Sequence, residues 1–300
     1  MPTGPNASTR SPLSAGVSYA LLAYGSWGLL PIYWKFFGQS SAVEVLCHRI
    51  IWSLLFLGGL LLLQQRQAEV RALLRSRRRL GLLLLSATLL TANWGLYIYG
   101  VNADRVVETS LGYYINPLVS VLLGFVVLKE RLRMGQWVAV GLAAIAVSYF
   151  VWRFGAVPWI ALGLAGTFAI YGLVRKVVTV APMVGLVVET LLIAPAALLL
   201  VSYAGATGTG DFGTTPRLTL LFIGAGIITA MPLLWFNNAA KRLQLSTLGF
   251  FQYLAPSLQL LIGVFLYGEP FTPTHIVTFS LIWVALLLYS ATSLLAAKAA

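Results

Sequence analysis

Glu44, His48, Arg49 and Trp52 fall within nine residues of an otherwise apolar run. On a helix, residues four apart share a face, so Glu44, His48 and Trp52 follow one another along one side. Arg49 lies about 100° round from His48 and about 10–12 Å below the edge of its run. An arginine cannot be left unpaired at that depth, and ionisable groups there tend to mark pathways. Two readings follow. Glu44, His48 and Arg49 form a polar cluster bordering a central cavity, in which Arg49 binds or balances a negative group and His48 responds to pH. Alternatively, they form a structural ion pair that locks this helix to a neighbour. Glu189 stands alone in a second apolar run. It is a candidate for coupling proton movement, or for accepting a hydrogen bond from an adjacent helix.

Uncharged polar groups are scattered through other apolar runs: Asn93, Asn116, Gln252 and Gln259. Among them sit Trp27, Trp94, Tyr97, Tyr113, Tyr114, Trp235, Phe250 and Tyr253. An aromatic cavity with a few amides suits small amphipathic organic molecules. The substrate-binding candidates are therefore Trp27, Glu44, His48, Arg49, Asn93, Tyr97, Tyr113, Asn116, Trp235 and Tyr253, with Glu189 as the coupling candidate. The plainer reading of many aromatics is a belt at the membrane interface, and Trp34, Trp137, Trp152 and Trp159 near the ends of runs are assigned to it. Glu108 reads as a carboxylate near a helix N-terminus.

Enzyme chemistry has little to stand on. The chain has no Walker A loop and no nucleophile elbow. Two distant histidines and one cysteine, Cys47, make no metal site or internal disulfide, so no cofactor is expected.

These residues must be positioned by elements that fit the composition. Of 300 residues, 59 % are apolar and only 9 % charged, and mean hydropathy is +0.87. A soluble domain carries about 25 % charged residues, so a soluble fold, a disordered chain and a secreted scaffold are excluded. Ten runs are long enough to cross a bilayer, which takes about 20 residues each. They cover 15–36, 42–64, 80–100, 107–128, 134–152, 157–174, 182–203, 218–240, 246–267 and 274–296. Gly155 and Pro158 divide the fifth from the sixth. The longest connection, 65–79, is basic. The segment 204–217 is rich in Gly and Thr and reads as a flexible loop.

With the N-terminus in the cytoplasm, fifteen Lys and Arg fall in inside segments and four outside. That asymmetry places both termini inside. It also accounts for the net charge of +12 as anchoring to anionic lipid, against nucleic-acid binding.

The chain repeats itself weakly. Pro117, Gly124 and Glu130 coincide with Pro256, Gly263 and Glu269 at one offset of 139. Each half has five runs, so the second copy inserts upside down, as in many secondary transporters. Glu130 and Glu269 each stand before the next helix, where a carboxylate can cap its free N–H groups. The expected fold is thus an all-α integral membrane protein of ten transmembrane helices in two inverted five-helix repeats. Residues 1–14 form a disordered cytoplasmic N-terminus, 15–153 the first half and 154–296 the second.

The ten runs, the two halves and the Gly-x5-Glu endings resemble the EamA domains of the drug/metabolite transporter superfamily, and within it the RarD branch. The resemblance is carried by Tyr24–Gly28, Glu44–Ser53, Asn93-Trp94, Glu108–Pro117 and Glu189–Leu192. It implies a multi-pass permease of the bacterial inner membrane, with the fifth and tenth helices at the periphery and some relatives linked to chloramphenicol sensitivity. The leading expectation is a secondary transporter working by alternating access on a small organic molecule. The third, fourth, eighth and ninth spans are the expected cavity walls, and homo-oligomerisation stays open. A membrane-embedded enzyme acting on a lipid-linked substrate and a passive channel are the alternatives. The first would need a catalytic cluster at one interface, the second a continuous polar stripe.

Overall fold

A computed structural model describes residues 12–129, 132–178, 180–240, 242 and 251–298. Every regular element among them is helical. In chain order the helices are α1 (Pro12–Lys35), α2 (Ala42–Leu63), α3 (Gln67–Leu74), α4 (Arg77–Asn102), α5 (Val106–Leu128) and α6 (Met134–Phe154). There follow α7 (Trp159–Val177), α8 (Pro182–Thr207), α9 (Pro216–Ala240), α10 (Leu254–Leu261) and α11 (Pro273–Lys298). A π-helical turn, Ile262–Leu266, extends α10.

Seven of these helices are long and apolar enough to cross a membrane: α2, α4, α5, α6, α8, α9 and α11. The stretches Trp159–Arg175 and Leu254–Leu266 are apolar but shorter. The chain is therefore an all-α, multi-span membrane protein.

Local chemistry sets the boundaries. Gly155 closes α6 in the left-handed conformation, at φ 67°, so the run from 134 to 174 is two helices. Gly208 closes α8 in the same way. Two expectations are corrected. The basic connection 65–79 contains α3, whose Glu69 accepts from the Arg66 guanidinium at 2.6 and 2.8 Å and whose Leu73 is buried. Helix α1 starts at Pro12, inside the stretch expected to be disordered, while residues 1–11 lie outside the described residues. So do Glu130 and Phe250.

Helices α6 and α11 pack chiefly on each other, with α5 as their further neighbour. Close crossings elsewhere depend on missing side chains. A Cβ on Gly112 of α5 would sit 2.8 Å from the Ala161 carbonyl oxygen of α7, and one on Gly226 of α9 would strike the α2 backbone at Trp52 and Ser53. Glycine is what lets two helix backbones approach this closely. The Ser53 hydroxyl then donates to the Gly226 carbonyl at 3.2 Å, fixing α2 against α9.

Candidate functional site

Helix α2 sends Glu44 and His48 to one side and Arg49 to another. The Glu44 carboxylate accepts from the backbone N–H of Asp211 at 2.9 and 3.0 Å and of Phe212 at 3.1 Å. The α8–α9 connection is thereby tied to α2, which corrects the reading of 204–217 as a flexible loop. One turn on, the His48 ring stacks on Phe212 at 4.4 Å and lies 4.6 Å from Phe222. Its Nδ1 accepts from Trp52 Nε1 at 3.3 Å. Glu44 and His48 thus hold Phe212 from two sides, and Arg49 points away from both. The expected three-residue cluster does not form, because the 100° between positions 48 and 49 places them on different faces.

Arg49 is 4 % exposed. Its guanidinium lies 3.9 Å from the Trp94 ring of α4 and 5.2 Å from the Trp34 ring of α1. Tyr97 and Tyr113 are within its electrostatic reach, their rings 5.7 Å apart. Stacking occupies the faces of the guanidinium and leaves its in-plane N–H groups unspent. Arg49 Nε and Nη1, Trp34 Nε1 and the Tyr97 hydroxyl are all buried without a hydrogen-bond partner among the described residues. No carboxylate among the described residues forms an ion pair with Arg49.

Magnitudes decide what this means. A desolvated cation–π contact contributes about 2 kcal/mol. Removing a charge from water costs several kcal/mol, and leaving hydrogen-bonding groups unpaired costs about 1–3 kcal/mol each. Two aromatic faces do not offset that total, so the described side chains leave the Arg49 guanidinium under-compensated.

Glu189 on α8 is not alone. Its Oε1 accepts from Ser86 Oγ of α4 at 2.6 Å and from Arg175 Nη1 of α7 at 3.3 Å. Gly185, one turn before Glu189, leaves the space that the Arg175 guanidinium fills. Oε2 remains buried without a partner among the described residues. Beside the carboxylate is a cavity of about 10 Å³, bordered by Ile50, Leu90, Thr91, Trp94 and Thr190, room for one water. Trp94 is therefore a shared wall, with Arg49 on its ring and the Glu189 cavity at its edge.

The other predicted residues divide between packing and open capacity. Asn93 donates to the Leu164 carbonyl and to Thr167 Oγ1, both at 2.9 Å. It pins α4 to α7, and so turns the adjacent Trp94 toward α2. Asn116 Oδ1 accepts from Ser120 at 3.0 Å, while its Nδ2 is buried without a partner among the described residues. Trp27 lies against Tyr24 and Phe236, and its carbonyl accepts from Gln259 at 3.1 Å. Tyr253 stacks on Tyr114 at 6.4 Å, in a different cluster from Trp34 and Tyr97. Trp235 is half-buried on α9. The donors around Arg49 come from α1, α2 and α4, so only α4 of the expected wall helices supplies one.

Trp34 corrects another expectation. Assigned to the interfacial belt, it is fully buried and faces Arg49, whereas Trp137, Trp152 and Trp159 are exposed. Sequence reasoning also missed Ser86 and Arg175 as partners of Glu189. Arg175 sits in the last turn of α7, where a basic residue reads as an anchor, and only the helix packing turns it inward.

One end of the bundle uses carboxylates differently. Glu269, in the α10–α11 connection, accepts from the backbone N–H of Val106 at 2.6 Å and of Val107 at 2.7 Å. It caps α5, not the helix that follows it. Gly263 permits this, since it packs directly on Val106 and Val107. Burial raises the Glu269 carboxyl above its ordinary range, against the downward pull of the two N–H groups. Glu108 accepts from the Ile160 N–H at 3.0 Å at the start of α7 and pairs with Arg105. Lys35 pairs with Asp104 at the same end.

The EamA-like transporter family model matches residues 14–152. An uncharacterized transporter of Vibrio cholerae is 46 % identical over 95 % of both chains. Protein RarD of Escherichia coli is 44 % identical over 91 % of this chain and 93 % of its own. A chloramphenicol-sensitive protein RarD of Pseudomonas aeruginosa is 30 % identical over 91 % of this chain and 92 % of its own. A crystal structure with 19 % identity matches the fold at a TM-score of 0.60, covering 93 % of this chain and 98 % of that one. With its helices, its buried charges and these relatives taken together, the chain is a membrane transporter of the EamA-like family, in its RarD branch.

Proposed function

We propose that the protein is a secondary permease that carries small amphipathic organic molecules across the bacterial inner membrane by alternating access, with both termini cytoplasmic. The observation that carries this reading is the Arg49 site, a buried cation ringed by aromatic faces and unspent donors. A residue kept at such a cost inside a span belongs to a pathway.

Ten spans in two inverted halves is the arrangement we infer. Its first half comprises α1, α2, α4, α5 and α6, and its second α7 to α11. Exchange of partners supports it. Helix α1 packs on α9 and α10 as α7 packs on α4 and α5, α2 packs on α9 as α8 packs on α4, and α2·α8, α5·α10 and α6·α11 pair across the halves. Rocking of the halves would expose the site to each side in turn. Glu189, held by Arg175 and Ser86 and bordering the same tryptophan, is the proposed coupling residue.

Proteoliposome uptake with and without a pH gradient tests the reading. A carrier gives saturable, gradient-sensitive flux, and Glu189→Gln removes its pH dependence. Linear flux, or lipid turnover without flux, overturns it. Cysteine labelling at Ser76 and at Ala206 should come from opposite sides of the membrane.

A further inference from the structure

Four features of the Arg49 site define what it lacks. The unspent groups of Arg49 and its neighbours are N–H and O–H donors: Arg49 Nε and Nη1, Trp34 Nε1 and the Tyr97 hydroxyl. The site carries one positive charge, and among the described residues no carboxylate is paired with it. Its walls are flat and aromatic, with Trp94 and Trp34 against the guanidinium and Tyr113 beside Tyr97. The neighbouring Glu44 carboxylate is committed to the α8–α9 connection, so it does not supply a counter-charge.

We infer that the transported molecule is an organic monoanion, a carboxylate on a flat apolar body, whose charged group docks between Arg49, Trp34 and Tyr97. One negative charge neutralises the site, whereas a dianion would leave a net charge buried. Charged hydrogen bonds to two or three donors fix the carboxylate, and the aromatic walls receive the rest of the molecule. This inference rests on the transport reading above for the word "transported". The anion site itself does not need it.

The test uses the full chain in nanodiscs with radiolabelled benzoate. Wild type should bind benzoate saturably, and benzamide and benzylamine, which share its shape, should compete at least about tenfold less well. Arg49→Gln should weaken benzoate by at least about tenfold, and Trp34→Phe and Tyr97→Phe by about three- to tenfold each. Equal competition by benzamide overturns the inference, as does absence of saturable benzoate binding to wild type. Chloride that displaces benzoate at equal concentration assigns the site to a free inorganic anion and overturns the carboxylate. If Arg49→Gln does not fold, the two conservative variants decide: unchanged benzoate affinity in both overturns the site. Flux separates the two claims. Benzoate that binds Arg49 but does not cross proteoliposomes leaves the anion site standing and ends the transport reading. A neutral amphiphile carried equally well by wild type and Arg49→Gln does the reverse.

Discussion

Two regions of this protein treat buried charge in opposite ways. At one end of the bundle, Glu44, Glu108 and Glu269 each accept backbone N–H groups from another segment, so each carboxylate closes a gap in the hydrogen bonding of a loop or helix start. Deeper in the bundle, Arg49 has aromatic faces against it and N–H groups without a hydrogen-bond partner among the described residues. The first region is internally satisfied and serves folding. The second carries a charge that no carboxylate among the described residues pairs with. On the proposed reading, loop and helix capping and substrate binding thus fall to charges of opposite sign at different depths.

This contrast fixes the direction of each substitution. Arg49→Leu should lower proteoliposome flux by at least about tenfold while leaving thermal unfolding unchanged, or stabilising the fold by about 1–4 kcal/mol, as replacement of buried charge by apolar groups can. Marked destabilisation would make Arg49 a structural residue and erase the contrast. Glu189→Leu should cost about 3 kcal/mol, because it leaves Arg175 half-buried without its partner. Adding Arg175→Leu should recover most of that loss, and a double-mutant cycle in chemical denaturant measures the coupling. At the satisfied end, Glu269→Ala should cost about 2 kcal/mol by uncapping α5, with flux reduced only as far as folded protein is lost. Glu44→Gln should have the smallest effect, about 1 kcal/mol, since an amide oxygen in the Oε1 position still accepts from the Asp211 and Phe212 N–H groups, while the charge and the Oε2 contact are lost. Its visible sign should be faster proteolysis within 208–215.

Much of the fold was legible. Apolar run length located the long helices to within a few residues, and Gly155 with Pro158 separated α6 from α7. Helix α3 was missed because its eight residues are too few and too polar to register as a span. The candidate site was legible only in part. Position 49 marked itself, since arginine inside an apolar run is costly wherever the helix turns. Trp34 was misread because depth along a helix says nothing about rotation, and rotation carried it inward. The loneliness of Glu189 was also misread. Its partners Ser86 and Arg175 lie 103 and 14 residues away in the chain, and Arg175 becomes a partner only because Gly185 leaves it room.

The sequence by itself determined that this chain lives in a membrane, roughly where its long helices run, and which few charges are buried at depth. Those facts follow from composition and local spacing, which need no neighbour. Which charge is satisfied was decided only by the tertiary structure. Glu44, Glu269 and Glu189 find donors on segments remote in sequence and Arg49 finds aromatic faces, because hydrogen bonding depends on distances and angles between helices that no local pattern encodes.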